Sequence, residues 1–242
     1  MTRPDLADVL RTLWAVATLL PELVLRLVWV RLSEASSTAS VAGAAQLRAL
    51  SHKCLVRLGV QLEVRGAERV PADGGLVCMW NQESHLDHLV LGAAMPRPFL
   101  SLYNNAVARF PLYGAHMRRT GHFHVDRTDP AQWPVQVAAA AAAVGAGVCV
   151  LVSPEGTRSP DGALLPFKRG AFLLARDAGR PIVCVTVVGG FERLRRGAWF
   201  VRGGPMRVVF SEPFFGDEAA VAGVFAAAKA AVVAEVRTTE NV

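Results

Sequence analysis

Short apolar runs alternate with helical segments through most of the chain, and this alternation is the strongest constraint on its fold. The runs with the length and hydrophobicity of strands are 61–65, 76–80, 99–103, 123–125, 148–152, 182–188 and 206–210. The intervening segments with helical character are 42–59, 84–94, 105–119, 130–146, 167–178 and 217–236. Strands that alternate with helices form sheets whose two faces are covered by helices. The sequence therefore predicts an α/β fold with a mixed, largely parallel sheet.

The amino-terminal segment 6–32 is very apolar but interrupted. Pro21 and Arg26 divide it into pieces shorter than the roughly 20 apolar residues that a membrane-spanning helix needs. A proline suits the first turn of a new helix. We therefore expect two helices here, 5–20 and 21–32, arranged as a hairpin.

Two interpretations of this hairpin remain open. Either it lies in one leaflet of a membrane, with Trp14 and Trp29 as interfacial anchors, or it packs as an amphipathic pair on the core of the domain. The small residues at 33–40 are typical of a linker. We therefore divide the chain into a membrane-associating segment, 1–40, and one compact α/β domain, 41–242.

The charged residues favour anionic partners. Lysine and arginine number 26 against 20 aspartates and glutamates, which gives a net charge of +6, and nearly all of the cations are arginines, which suit phosphate and carboxylate groups. Nucleic acid fits poorly as the partner, because no nucleic-acid motif and no regular aromatic interleaving accompany the arginines. Nucleotide-binding glycine loops, a serine-hydrolase elbow and convincing metal-ligand spacings are also absent from the sequence. The arginine-rich tract 193–207 would contact anionic lipid headgroups or form a solvated basic face.

Polar and charged residues directly follow three of the predicted strands. They occupy 81–88, 153–159 and 126–127. In open α/β sheets, ligands bind beyond the carboxyl ends of the strands. We therefore expect these three strand ends to converge on one crevice.

The block Pro-Glu-Gly-Thr-Arg-Ser at 154–159 resembles a signature of the glycerolipid acyltransferases, the 1-acylglycerol-3-phosphate acyltransferase family. Three other blocks follow in the order of that family. Residues 81–87 are similar to its Asn-His-x-Ser-x-x-Asp, 121–127 to its Gly-x-Ile-Phe-Ile-Asp-Arg, and 167–171 to its Phe-Lys-x-Gly-Ala. The resemblance covers about 60–215.

The resemblance implies a set of site residues. Asp87 would orient a catalytic base, and Arg158 would bind the phosphate of the acceptor, because its planar guanidinium matches phosphate oxygens. The other residues implied in substrate binding are Glu155, Gly156, Thr157, Arg127 and Lys168. A structural alternative stands beside the role of Asp87, because Ser84 and Asp87 also have the spacing of a helix capping box.

One position departs from the family pattern. Gln82 stands where the family has the histidine that takes the proton from the acceptor hydroxyl. A glutamine amide has no useful basicity near neutral pH, and loss of the base would cost about 10²–10⁴-fold in rate. Three interpretations remain open. The glutamine is a substitution introduced to inactivate the site, or the chain is a natural relative with lost or altered activity, or another histidine serves as the base. The candidates for that base are His85 and His88, which flank Asp87, and His122 and His124 in the block 121–127.

The resemblance implies an acyltransferase of phospholipid biosynthesis. A fatty acyl group would pass from acyl-CoA or acyl carrier protein to the hydroxyl of a membrane lipid, a lysophospholipid such as 1-acylglycerol 3-phosphate. No cofactor besides this thioester co-substrate and no metal is implied. The alternative is a catalytically impaired relative that binds the lysolipid or the acyl donor without turnover. In both cases we expect the protein at the cytoplasmic face of a membrane, peripheral or monotopic.

Overall fold

A seven-stranded sheet lies at the centre of the molecule. The computed structural model describes residues 5–32, 41–109, 113–126, 128–129 and 131–240. The strands are β1 (Val60–Arg65), β2 (Leu76–Trp80), β3 (Leu100–Asn104), β4 (Phe123–Val125), β5 (Cys149–Val152), β6 (Ile182–Val188) and β7 (Gly204–Phe210). Their spatial order is β1-β7-β6-β2-β5-β3-β4. Each strand lies where an apolar run predicts one.

Strands β2 to β6 run parallel to one another, whereas β1 and β7 run in the opposite direction. β1 pairs with β7 in parallel, and β7 pairs with β6 antiparallel. The predicted mixed, largely parallel sheet is therefore confirmed. The carboxyl ends of β2 to β6 share one edge of the sheet with the amino ends of β1 and β7. We call this the upper edge, and the opposite one the lower edge.

Helices cover both faces of the sheet, as predicted. They are α1 (Leu6–Leu32), α2 (Val41–Arg57), α3 (Asp87–Ala94), α4 (Asn105–Ala108), α5 (Tyr113–Arg119), α6 (Gln132–Gly145), α7 (Arg169–Ala178), α8 (Gly190–Arg193) and α9 (Glu218–Glu240). Successive side chains of a strand point to opposite faces. Cys78 of β2 therefore lies in one core cluster with Leu55 of α2 and Val90 of α3, whereas Met79 lies in the other with Leu174 of α7.

Helix α1 runs without a break from Leu6 to Leu32 and contains Pro21 in its interior. The predicted division into two helices at Pro21 is therefore wrong. A proline inside a helix removes one backbone hydrogen bond, here to the carbonyl of Ala17, but its fixed φ still suits the helix. The leucine-rich flanks have good helix propensity and continue the helix on both sides. The side chain of Trp29 and the linker predicted at 33–40 lie outside the described part of the chain.

One face of α1 packs on the domain and the other is exposed. Ala15 is fully buried, and the hydroxyl of Thr12 accepts a hydrogen bond from the backbone amide of Val201 at 3.0 Å. On the other face Trp14 is 56% exposed, and the guanidinium of Arg57 lies over its ring. Within the described ranges, no helix is both long and apolar enough to cross a membrane.

Candidate active site

The loop at 81–86 leaves the carboxyl end of β2 and is tied to the neighbouring strand β6. Asn81 Nδ2 donates to the carbonyl of Val187 at 2.8 Å, and Asn81 Oδ1 accepts from the amide of Val187 at 2.7 Å. The register of β2 with β6 ends at Trp80. The buried side chain of Asn81 therefore supplies the hydrogen-bond partners that the sheet no longer provides to Val187.

The second polar block holds the backbone of Gln82 on both sides. Glu155 Oε1 accepts from the amide of Gln82 at 2.8 Å, and the carbonyl of Gln82 accepts from the amide of Ser159 at 2.8 Å. Glu155 Oε2 accepts from the amide of Leu165 at 2.8 Å. Both oxygens of this buried carboxyl group therefore bind backbone amides, and its contact with substrate stays a prediction. Burial also raises the pKa of Glu155.

Asp87 begins α3 and fixes the preceding loop. Its Oδ2 accepts from the backbone amides of Glu83 and Ser84, both at 2.7 Å. The contact with the amide of Ser84 is one of the two bonds of the capping-box alternative, but Ser84 is not the N-cap residue that a full capping box requires. Leu86 holds that position, and the hydroxyl of Ser84 accepts from the amide of Leu86 at 3.1 Å. The helix begins three residues later than predicted because Asp87, rather than a helical turn, satisfies the amides of this loop.

The other carboxyl oxygen of Asp87, Oδ1, is buried and has no hydrogen-bond partner among the described residues. Burial raises the pKa of Asp87 well above its ordinary value, and the nearby Glu83 carboxyl raises it further. A buried acceptor of this kind suits a ring N–H, and the family pattern has its histidine at the position of Gln82. Gly190 of α8 approaches the same oxygen so closely that a Cβ there would lie 2.6 Å from it.

An ion pair between a half-buried lysine and a buried glutamate lies beside this loop. Lys229 of α9 contacts Glu83 Oε1 and donates to the carbonyl of Gly162 at 2.7 Å. Glu83 Oε2 accepts from the amides of Gly190 and Phe191 at 3.0 and 3.3 Å. Burial raises the pKa of Glu83, and Lys229 opposes this effect. Sequence reasoning missed both members of this pair, because 146 positions separate them in the chain.

Two histidines and Arg158 lie on the same side of the molecule as Asp87. His88 packs edge-on against Trp80, with ring centroids 5.5 Å apart. Burial lowers the pKa of His88 to about 4, with smaller contributions from His85 and Arg158. Burial and then Arg158 lower the pKa of His85 as well. Arg158 is also close enough to Asp87 for the carboxyl charge to act on it.

A cavity of about 480 Å³ opens beside Gln82. The apolar residues in its wall include Trp80, Leu102, Tyr103, Val107, Val125, Trp133, Val152, Pro154 and Ala171. The polar and charged residues in its wall include Gln82, His88, Asn104, Asp126, Ser153, Lys168 and Arg169. An apolar wall with a few convergent polar groups is characteristic of a small-molecule site.

The cavity contains some of the predicted site residues and leaves others outside its wall. Gln82, Gly156 and Lys168 line it. The amide of Lys168 donates to the carbonyl of Pro154 at 2.8 Å, so the block 167–171 is joined to the block 154–159. Those that the structure describes outside the wall are Asp87, His85, Glu155, Thr157 and Arg158. Arg127 lies outside the described residues.

Sequence reasoning also missed cavity residues. Arg169 is an exposed cation next to Lys168. Two adjacent cations in the block 167–171 were the sequence feature that could have predicted its place in the cavity wall. Trp133 of α6 had no such signal, since it follows no strand and belongs to no matching block. In the described ranges, no group of three or more His, Cys, Asp or Glu residues is arranged to hold a metal ion.

Relatives of the chain are acyltransferases by name. A chloroplastic 1-acyl-sn-glycerol-3-phosphate acyltransferase from Brassica napus is 31% identical over 160 residues, which are 65% of this chain and 46% of that protein. The alpha 1-acyl-sn-glycerol-3-phosphate acyltransferase of Homo sapiens is 33% identical over 130 residues, which are 53% of this chain and 46% of that protein. The match to this chain therefore spans about half the length of these curated relatives.

A solved structure shares the fold. The crystal structure of the 1-acyl-sn-glycerophosphate acyltransferase PlsC from Thermotoga maritima superposes with a TM-score of 0.74 at 21% identity, over 95% of this chain and 96% of that one. The family model described as Acyltransferase matches residues 61–188, more than half of the chain. This match includes β2, β5 and the loops that meet around Gln82, and it shows that the chain belongs to the Acyltransferase family.

Proposed function

We propose that this protein is an acyltransferase of phospholipid biosynthesis. It moves a fatty acyl group from acyl-CoA or acyl carrier protein to the hydroxyl of a lysophospholipid such as 1-acylglycerol 3-phosphate. The observation that carries the proposal is the amphipathic cavity beside Gln82. Its apolar wall suits a hydrocarbon chain, and the exposed cations Lys168 and Arg169 in the same wall suit a phosphate group. The family and the names of the relatives support the same reaction.

The chemistry requires one base and one site for negative charge. The acceptor hydroxyl attacks the thioester carbonyl, its proton passes to the base, and the carbonyl oxygen becomes an oxyanion. The C–S bond then breaks, the ester carbonyl re-forms, and the thiolate takes the proton. Lys168 and Arg169 in the cavity wall are suited to bind the acceptor phosphate, and Arg158, which the resemblance implies in the same role, would assist from outside the wall.

The identity of the base is the open step. Asp87 occupies the position of the family's orienting carboxylate, and its buried Oδ1 is available as an acceptor. Gln82 provides an amide in place of the imidazole. Of the two neighbouring histidines, His88 lies in the cavity wall, whereas His85 lies outside the wall. His88 is therefore the better placed of the two to replace the missing base.

A second candidate function follows from Gln82 itself. With an amide at this position and no replacement base, the protein would bind the lysolipid or the acyl donor without turnover. The cavity, the cations and the Asp87 carboxyl group would then serve recognition alone.

The deciding experiment measures thiol release from acyl-CoA and from acyl carrier protein with a panel of lysolipid acceptors. It compares the unmodified protein with Gln82→His, and uses Gln82→His/Asp87→Asn as the matched control. If the unmodified protein is inactive, we expect Gln82→His to raise the rate by about 10²–10⁴-fold. We expect the added Asp87→Asn to remove most of that gain.

The other outcomes separate the remaining possibilities. Turnover by the unmodified protein that His88→Gln abolishes would identify His88 as the base. Binding of 1-acylglycerol 3-phosphate without turnover in either protein would establish the binding function instead. Absence of both binding and turnover in all variants would overturn the acyltransferase proposal.

We also propose that the protein acts at the cytoplasmic face of a membrane as a peripheral or monotopic protein. The exposed apolar face of α1, which includes Leu10, Leu13 and Trp14, supports this location. Extraction of the membrane fraction with alkaline carbonate tests the mode of attachment, and protease protection in oriented vesicles tests the face.

A further inference from the structure

The segment between α8 and β7, residues 194–203, forms an exposed loop at the upper edge, and we call it the Trp199 loop. It joins the carboxyl end of β6, through α8, to the amino end of β7. It contains Arg195, Arg196 and Arg202 and no acidic residue. The indole of Trp199 is 87% exposed.

The two ends of the loop are fixed to the domain. At its start the hydroxyl of Ser84, in the loop after β2, donates to the carbonyl of Leu194 at 2.9 Å. Near its end the amide of Val201 donates to the hydroxyl of Thr12 in α1 at 3.0 Å. The Trp199 loop therefore bridges the candidate active site and the amino-terminal helix.

Hydrogen bonds within the loop present its tip to solvent. The amide of Arg202 donates to the carbonyl of Arg193 at 2.9 Å and closes the base of the loop. The amide of Ala198 donates to the carbonyl of Arg195 at 3.0 Å and forms a turn just before Trp199. The exposed position of the indole thus follows from a defined backbone conformation.

The positive charge of the loop extends to the candidate site. The guanidinium of Arg195 lies over the ring of Phe191, 4.9 Å from its centroid. Arg196 is exposed, and its charge acts on Arg158, the residue predicted to bind the acceptor phosphate. The loop and the candidate site therefore carry neighbouring positive charges.

We propose that the Trp199 loop docks the upper edge on an anionic phospholipid bilayer, with Trp199 in the interface and Arg195 and Arg196 on the headgroups. An indole has an apolar body and one N–H donor, which suits the boundary between headgroups and hydrocarbon. Arginines near an anionic leaflet add electrostatic attraction. This inference rests on the proposed location at a membrane and names a surface that makes the contact.

The same edge carries a second apolar feature that favours a bilayer over an acidic protein. The first turns of α1 reach this edge, since Asp8 Oδ1 accepts from the amide of Gly203 at 3.2 Å. Their outer side chains Leu10 and Leu13 are 57% and 54% exposed. A compact acidic partner would neutralise the arginines and leave these leucines in water, whereas a bilayer surface covers both.

The test is co-sedimentation of the full chain with vesicles of phosphatidylcholine alone and of phosphatidylcholine and phosphatidylglycerol in equal parts. We expect Trp199→Ser to lower the partition coefficient on the anionic vesicles about tenfold. We expect Arg196→Gln to lower it about fivefold, and to have little effect on neutral vesicles.

Matched controls exist at the lower edge. Phe215 is 76% exposed and directly follows Phe214, whose backbone pairs with Ile182 at the amino end of β6. Arg180 is exposed and precedes the same end of β6. We expect Phe215→Ser and Arg180→Gln to bind the anionic vesicles as the unmodified protein does.

Each outcome bears on the proposal. Failure of the unmodified protein to bind anionic vesicles would refute the membrane location and the docking loop together. Binding that the loop variants leave unchanged would refute the loop alone and keep the location. Loop variants that bind vesicles normally but lose binding to acyl carrier protein would replace the bilayer with a protein partner.

Discussion

Glu155 Oε1 accepts the backbone amide hydrogen of Gln82 at 2.8 Å, so the block 154–159 fixes the backbone of the residue that stands at the family's base position. The other oxygen of Glu155 binds the amide of Leu165. One buried carboxyl group therefore sets the position of two loops that lie far apart in sequence. The contact joins the blocks 81–87 and 154–159, although 73 positions separate Gln82 from Glu155.

Replacement of Glu155 by glutamine tests this contact. A glutamine side chain accepts through one oxygen only, and its NH₂ group would face the second backbone amide. We expect Glu155→Gln to lower the free energy of unfolding by about 1–3 kcal/mol, measured by urea denaturation, because a buried donor loses its partner. Glu68→Gln, at a side chain that is 79% exposed, is the control, with an expected change within about 0.5 kcal/mol. Equal effects of the two variants would contradict the role of Glu155.

The ion pair of Glu83 with Lys229 makes a second prediction. Lys229→Met leaves the Glu83 carboxyl buried without its cation, and we expect a loss of about 3–5 kcal/mol in the free energy of unfolding. The double variant Glu83→Gln/Lys229→Met removes both charges and keeps an oxygen for the amides of Gly190 and Phe191. We expect it to recover much of the loss in the same urea experiment. A double variant as unstable as Lys229→Met would show that the buried charge is not the cause.

The centre of the sheet could be predicted because β2, β5 and β6 are buried on both faces. A strand such as 76–80 then forms an unbroken apolar run, whose ends mark where the polar site residues begin. The convergence of 81–87 with 154–159 followed from the same logic, since β2 and β5 are parallel neighbours and their carboxyl ends share an edge. The sequence therefore predicts which loops form the candidate site.

The contacts inside the site could not be predicted in the same way. Glu83 follows a strand as Gln82 does, but its partner Lys229 belongs to the last helix and to no motif. The break expected at Pro21 failed because the cost of a proline is local, whereas α1 contacts the domain on both sides of it, through Leu19 before it and through the ion pair of Glu22 with Lys53 after it. In both cases a tertiary contact decides the structure, and no local feature of the sequence reveals that contact.

Gly190 gives a third prediction, which tests the close approach of α8 to Asp87. A Cβ at this position would lie 2.6 Å from Asp87 Oδ1 and 3.2 Å from the Cβ atoms of Glu83 and Ser84. We expect Gly190→Ala to lower the free energy of unfolding by about 1–3 kcal/mol, since overpacking forces neighbours to move. It should also lower the turnover of Gln82→His, because Asp87 would shift.

A helical glycine elsewhere serves as the control for Gly190. A Cβ at Gly223 of α9 would meet nothing within 4 Å. Because alanine has the higher helix propensity, we expect Gly223→Ala to be neutral or to stabilise the protein by up to about 1 kcal/mol. If thermal unfolding showed the same change for both alanine variants, the proposed clash at Asp87 would not exist.

His88 gives the last prediction, a dependence of stability on pH. Burial lowers its pKa from 6.5 to about 4, so between these values the unfolded chain binds a proton that the folded protein does not. Stability therefore falls as the pH falls through this window. Between pH 7 and pH 5 we expect His88 to contribute a loss of about 2 kcal/mol. We expect His88→Gln to lack this contribution in urea denaturation at the two pH values.

The comparison with His88→Gln isolates the histidine from the buried acids. Burial raises the pKa of Glu83, Asp87 and Glu155, so the folded protein retains their protons to higher pH and these groups favour folding as the pH falls. Their effect is opposite in sign and is present in both proteins, so it cancels in the difference between them. If His88→Gln lost as much stability between pH 7 and pH 5 as the unmodified protein, His88 would not be buried in its neutral form, and its candidacy as a neutral base beside Gln82 would end.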